Sequence, residues 1–308
     1  MIELKNVCKY YKKGKKKEII LKDISFTIGD NKVIALLGPN GSGKSTLIKC
    51  ICGVIKPDEG GVFIDGKNSF ICRKKIISGM GVVFNQKPSF IVDLSVNDNL
   101  QYFKAIYGIK KEEYAKNFER LNKYLDFSEL LDRPYRKLSF GERVKCEIAS
   151  VLLHNPKYII LDEPTIGLDY GVKKRLYNLL DELKKEGHTI VVTTHETEYI
   201  EGICDEVVIL SDGVIKYYGE PEKVLDINGN IKKITVEYDE VIDEELAREI
   251  EGKDFCKKNP NGLELTYYNA REKNKIISDL TSAYDIKKLN VVDTSIREVL
   301  EDVIKKIR

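Results

Sequence analysis

Gly38-Pro39-Asn40-Gly41-Ser42-Gly43-Lys44-Ser45 follows the apolar run Val33 to Leu37 and leads into Thr46-Leu47-Ile48. The stretch fits G-x-x-x-x-G-K-[ST] between a strand and a helix, the context that gives this spacing its meaning. Glycines let backbone N–H groups close around phosphate oxygens, and the helix that follows turns its positive end toward them. Gly38, Pro39, Asn40, Gly41, Ser42, Gly43, Lys44, Ser45 and Thr46 are therefore the expected nucleotide-binding loop. Lys44 is placed to hold β- and γ-phosphates. Ser45 offers a hydroxyl to Mg²⁺, a hard ion that takes oxygen ligands and keeps several waters. The implied ligands are ATP and Mg²⁺.

Outward from this loop, residues 1 to 228 read as strands alternating with helices. That pattern implies a mostly parallel sheet covered on both sides, an α/β fold; with the phosphate loop on it, the fold resembles that of P-loop NTPases. The expected strands are Lys32 to Leu37, Val82 to Phe84, Tyr158 to Leu161 and Thr189 to Val192. Ser95 to Leu153 carries helical spacing instead, as at Leu100, Phe103 and Tyr107, and reads as a helical subdomain inserted into the sheet. Lys157-Tyr158-Ile159-Ile160-Leu161-Asp162-Glu163-Pro164 is an apolar strand ending in two carboxylates. Open α/β sheets place ligands at that carboxyl edge. Asp162 suits Mg²⁺, through water, and Glu163 suits the task of orienting and deprotonating an attacking water. Two acids at a strand end are equally explained by solvation when they stand alone; beside the phosphate loop the catalytic reading prevails.

Just upstream of the acids, Leu138-Ser139-Phe140-Gly141-Glu142-Arg143 resembles the L-S-G-G-Q signature of ATP-binding cassette (ABC) ATPases. The resemblance covers residues 1 to about 220, with the family's motifs in order, and it assigns further roles. Gln86 looks like the glutamine that links metal to the transport subunit. His195, after Thr193-Thr194, looks like the switch histidine that contacts the γ-phosphate. Asp169 in Gly167-Leu168-Asp169 looks like the aspartate that acts across a dimer interface, and Tyr11 is placed like the aromatic residue that stacks on adenine. Ser139, Gly141 and Glu142 would meet the nucleotide of an opposite subunit. The signature departs from the pattern at Phe140, whose side chain must turn away from the phosphate, and at Glu142, which stands where glutamine is usual. Asn85 to Leu94 and Leu153-His154-Asn155-Pro156 look like the exporter-like branch that pairs with a separate membrane permease. The resemblance implies ATP hydrolysis in a head-to-tail pair, a homodimer or a pair with a close paralogue. It places the chain on the inner face of the membrane through the permease.

After the hairpin signal around Asp212-Gly213, a new alternation begins with Ile234, Val236 and Tyr238, so residues 229 to 308 form an expected small α+β domain. Asn259-Pro260-Asn261-Gly262 marks a turn before a strand, and Ser295 with Glu298 makes a capping box for a last helix. With 51 basic against 49 acidic residues the net charge is +2, so no nucleic-acid partner is expected. The alternative class, an ABC ATPase acting on nucleic acid or ribosomes, calls for long heptad insertions or two cassettes, and neither is present. Lys12 to Lys17 is the one dense charge run and reads as a solvated hairpin loop. No apolar run approaches the roughly 18 residues that cross a bilayer, and the start lacks a signal-peptide pattern, so a cytoplasmic location is expected. The seven cysteines are odd in number and lack paired metal-ligand spacing, which favours buried thiols.

Overall fold

The first two strands, β1 (Ile2–Lys13) and β2 (Lys16–Ile28), pair as an antiparallel hairpin because Ile2, Leu4, Val7, Leu21, Ile24 and Ile28 alternate onto one buried face. The computed structural model describes residues 1–13, 16–84, 88–194, 200–224, 232–238, 256–259, 262–267, 270–283 and 286–292. It divides into two compact units, Met1–Glu220 and Pro221–Arg308. The boundary expected at residue 228 falls among positions outside the described residues.

In the first unit β3 (Val33–Leu37), buried at every position, runs into the phosphate loop and α1 (Lys44–Ile51). β4 (Glu59–Ile64) and β5 (Lys67–Asn68) then complete a four-stranded sheet in the order β2-β1-β4-β5. The short α2 (Arg73–Ile76) leads to β6 (Met80–Val83). The expected helical insertion follows as α3 (Val96–Tyr107), α4 (Lys111–Leu125) and α5 (Phe140–Leu152). Its apolar stripes meet in a core of Leu100, Leu121, Leu125, Phe127, Cys146 and Ile148. The chain returns to the sheet with β7 (Tyr158–Asp162), α6 (Tyr170–Lys185), β8 (Thr189–Thr193), α7 (Ile200–Ile203), β9 (Glu206–Ser211) and β10 (Val214–Gly219).

The second sheet has the order β10-β9-β3-β8-β7-β6. Every pairing from β9 to β6 is parallel, and β10 closes the edge antiparallel around the Asp212-Gly213 turn. Strands buried on both faces read as unbroken apolar runs, which is why Val33 to Leu37 and Tyr158 to Leu161 were visible as strands. Chain direction is what positions the site. β3, β8, β7 and β6 are neighbours running the same way, so the segments that follow them leave from one edge.

In the second unit β11 (Lys232–Tyr238), β12 (Cys256–Asn259), β13 (Gly262–Tyr267) and β14 (Ile286–Val292) form an antiparallel sheet in the order β12-β13-β11-β14, with α8 (Ala270–Ala283) between the last two strands. Ile234 and Val236 are fully buried and pack with Leu265, Tyr267 and Leu280. The expected last helix after Ser295 lies outside the described residues.

Candidate functional site

Gly38 leaves β3 with φ 145°, and a Cβ there would lie 2.0 Å from the carbonyl oxygen of Leu210 on β9. Only glycine passes at that point, and the chain turns directly into the loop. Lys44, 7% exposed, folds back across the loop and donates to the carbonyl oxygens of Gly38 (2.7 Å) and Pro39 (3.0 Å). Burial lowers the pKa of its ammonium, while the charges of Glu163 and Asp162 work the other way. The lysine from the end of β3 and the acids from the end of β7 thus share one electrostatic neighbourhood, although 118 residues separate Lys44 from Asp162 (162 − 44).

The acid pair is held by β8. Asp162, 5% exposed, accepts a 2.7 Å hydrogen bond from the Thr193 hydroxyl. That same hydroxyl accepts from the Glu163 N–H at 2.8 Å. Glu163 has φ 53°, a left-handed conformation that a non-glycine residue adopts only where its surroundings hold it there. The turn aims the Glu163 side chain differently from the strand behind it, so two consecutive carboxylates need not share one direction. Thr193 was not singled out in the sequence; the clue was only that it ends an apolar strand.

Ser139 caps α5 as expected, accepting from Glu142 N at 3.3 Å, while the Glu142 carboxylate accepts from Ser139 N at 2.7 Å. This capping box is braced by Arg133, 2.7 Å from Glu142, and the bonds to Ser139 and Arg133 hold the Glu142 carboxyl below the usual carboxylate range. Glu142 is therefore engaged in building the helix start. Gly141 sits against the loop that follows the acids: a Cβ on it would come 2.5 Å from the Gly167 carbonyl oxygen. The Phe140 ring lies over Gly167 and remains 52% exposed, turned along the surface. Asp169 caps α6 by accepting from Val172 N at 2.9 Å, a bond that lowers its pKa. Tyr11 lies near the tip of the β1–β2 hairpin, 42% exposed, with the Lys9 ammonium 5.5 Å from its ring centre. Gln86 and His195 lie outside the described residues; β6 and β8, which precede them, end at Val83 and Thr193 on the same sheet edge.

Between the helical insertion and the acids is a cleft of about 200 Å³, lined by Phe84, Phe140, Arg143, Glu147 and Glu163 among others. Glu147 is 8% exposed and accepts from the Tyr135 hydroxyl; burial raises its pKa, against the opposing effects of Tyr135 and Arg143. Nothing in the sequence pattern marked this buried acid. The remaining histidines are structural: His154 stacks on Tyr107 with ring centres 3.8 Å apart, and His188 bonds the Pro156 carbonyl at 2.7 Å. Cys50, Cys52, Cys146 and Cys204 have thiols pushed up in pKa by burial, and no group of three or more His, Cys, Asp or Glu gathers as a metal cage among the described residues.

The fit to a nucleotide rests on the loop itself. The Ser42 hydroxyl is 3% exposed and has no hydrogen-bond partner among the described residues. Buried polar groups are otherwise nearly always satisfied, and a phosphate oxygen would satisfy this one. Ser45 and Asp162 would offer a cation two oxygen donors, too few to hold it alone. That suits Mg²⁺, which takes its other ligands from phosphate and water.

The family described as ABC transporter matches residues 21–166. A putative ABC transporter ATP-binding protein of Pyrococcus furiosus is 34% identical over 243 residues, 79% of this chain and 91% of the relative. The methionine import ATP-binding protein MetN of Clostridium acetobutylicum is 34% identical over 250 residues, 78% of this chain and 75% of MetN. Among solved structures, the ATP-binding cassette MJ0796 in a dimeric post-hydrolysis state bound to ADP and Pi superposes with a TM-score of 0.66 at 29% identity, covering 71% of this chain and 98% of that one.

Proposed function

This chain belongs to the ABC transporter family as an ATP-binding, ATP-hydrolysing subunit that uses Mg²⁺, and on that premise we propose that it drives export through a separate membrane permease. Bound Mg²⁺ supplies positive charge to the phosphoryl oxygens. Lys44 adds a second cation at the same oxygens, and Ser42 and the loop N–H groups fix their position. Glu163 accepts the proton of the attacking water, with its backbone pinned by Thr193. Asp162 and Ser45 orient the cation. Gln86 and His195, which follow β6 and β8 in the sequence, take the roles that the family resemblance gives them.

The observation that carries this reading is the convergence of an unsatisfied Ser42 hydroxyl, a buried Lys44 and a Thr193-braced acid pair on one sheet edge. Two copies, or one copy and a paralogue, would close head to tail so that the α5 start of one, at Ser139 and Gly141, faces the phosphate loop of the other. The likeness to MJ0796, solved as a dimer, supports the pairing of two cassettes. A separate permease is supported by the likeness to relatives named as ATP-binding proteins of ABC transporters. The outward direction rests on the resemblance at residues 85 to 94 and on the α+β tail. MetN, named for import, defines the opposite outcome.

The test is mass and direction together. Glu163→Gln protein with Mg-ATP should move in light scattering from 35.2 kDa toward twice that mass, and Ser139→Arg should abolish the shift. A chain that stays monomeric at saturating ATP would exclude self-pairing. Reconstitution with its co-purifying permease in sealed vesicles should then show ATP-dependent movement away from the nucleotide side; accumulation on the nucleotide side would reverse the assignment.

A further inference from the structure

Lys67-Asn68-Ser69-Phe70-Ile71-Cys72-Arg73-Lys74-Lys75 runs from β5 into α2 with four cations and no acid. Ile71 at its centre is 78% exposed, more than any other large apolar side chain among the described residues. Phe70 beside it is 41% exposed and Val54 39%. A Cβ on Gly53 would lie 2.2 Å from the Ser69 carbonyl oxygen and 3.2 Å from Phe70 N, so the turn that carries Val54 runs against the base of this loop.

This exposure is built in by the loop's own bonds. The Asn68 side-chain oxygen accepts from the N–H groups of Phe70 (3.1 Å) and Ile71 (3.0 Å), and Cys72 N donates to the Asn68 carbonyl at 2.9 Å. Ser69, 2% exposed, anchors the base by donating its hydroxyl to the Cys50 carbonyl at the end of α1 (3.0 Å) and its N–H to Val62 (2.8 Å). Turning Phe70 and Ile71 inward would break these bonds. Lys67, Arg73, Lys74 and Lys75 make no ion pair among the described residues, and the nearest acid in sequence, Asp65, is already bonded to Tyr158 and Lys157.

We propose that this patch is a contact site for an anionic lipid bilayer, with Phe70 and Ile71 entering the headgroup boundary and Lys67, Arg73, Lys74 and Lys75 facing lipid phosphates. Three apolar side chains fall far short of the roughly 800 Å² that a stable protein partner covers on each side. They do match what an interface of lipid requires, a small apolar wedge ringed by cations. The contact is weak by itself. On a subunit already held at the membrane, effective concentration makes a weak contact sufficient. The use of this contact rests on the transport reading, but its test uses the chain alone, so the two can fail separately.

The chain contains no tryptophan, so Ile71→Trp introduces a single emitter at the tip. With vesicles of mixed phosphatidylglycerol and phosphatidylcholine its emission should shift to the blue, less so as salt is added, and with phosphatidylcholine alone it should not move. Phe70→Trp should behave the same way. The triple reversal Arg73→Glu, Lys74→Glu, Lys75→Glu should weaken vesicle binding about a hundredfold or more while Mg-ATP hydrolysis continues at its usual rate. Three results would each overturn the proposal: no shift for either tryptophan, binding lost on neutralising Lys12 to Lys17 but kept in the triple reversal, or binding only to vesicles that contain the permease. The last would assign the patch to a protein partner.

Discussion

Glu163→Gln keeps the size of the side chain and removes its capacity to accept a proton, so nucleotide binding should persist while turnover falls about 10²- to 10⁴-fold, measured as phosphate release against equilibrium ATP binding. Lys44→Ala should act on the other quantity and weaken binding itself. His154 offers a test by acid. Its ring is buried against Tyr107 with Nε2 on the Met80 carbonyl at 3.1 Å, and burial lowers its pKa from 6.5 to about 4. The unfolded chain therefore takes up a proton before the folded chain does, and stability contributed by this site is complete above pH 6.5 and falls as pH drops from 6.5 toward 4. The loss should reach about 3 kcal/mol. His154→Phe, which keeps a ring on Tyr107, should flatten that part of the profile of urea midpoint against pH; an unchanged slope would remove His154 as its source. At this scale the phosphate loop was legible in advance because its requirements are local, glycine freedom and one lysine within eight residues. Thr193 was not, because its value lies in a hydroxyl placed between Asp162 and Glu163 across a strand pair, 31 residues away in sequence (193 − 162).

Helix α5 does two things, and they can be separated. Its capping box at Ser139 and Glu142 fixes where the helix begins, and its far end packs on β6, where a Cβ on Gly81 would lie 2.4 Å from the Val151 carbonyl and 2.8 Å from the Pro156 ring. Gly81→Val should therefore cost about 1 to 3 kcal/mol by overpacking, read as a lower denaturant midpoint. Gly79→Ala, two residues away in open space, should change it by less than about 0.5 kcal/mol. Ser139→Ala should cost about 1 kcal/mol through the lost cap alone. The elements themselves were largely readable, since apolar runs announced β3, β7 and β8 and helical spacing announced α3 to α5. Which strand neighbours which was not, because strand order is set by packing between distant segments. The buried Glu147 was likewise invisible, since an acid on a helix is ordinarily a solvated one and only Tyr135, twelve residues earlier, reveals that this one faces inward.

The two units each have a core of their own, Ile234, Val236, Leu265, Tyr267 and Leu280 forming the smaller. Calorimetry of the whole chain should accordingly resolve two transitions, of which Mg-ATP raises only the larger, by about 2.7 kcal/mol of stability at a hundred times Kd. A single transition that moves as one would show the units to be thermodynamically fused. The expectation of two domains came from the restart of strand alternation near Ile234, a pattern typical of an antiparallel, half-buried sheet. Within the larger unit, β8 lies between β3 and β7. The loop at residues 38–45 and the acids at 162–163 therefore share no common sheet until residues 189–193 have been made. At roughly 5 to 20 residues per second a ribosome needs about 7 to 30 seconds to travel from Ser45 to Thr193. Throughout that interval a growing chain carries a finished phosphate loop and nothing to complete it. Translation intermediates stalled so that Thr189 is still inside the exit tunnel should fail to retain ATP even with both carboxylates exposed, and those released past β9 should retain it, which makes nucleotide a late reporter of this chain's synthesis.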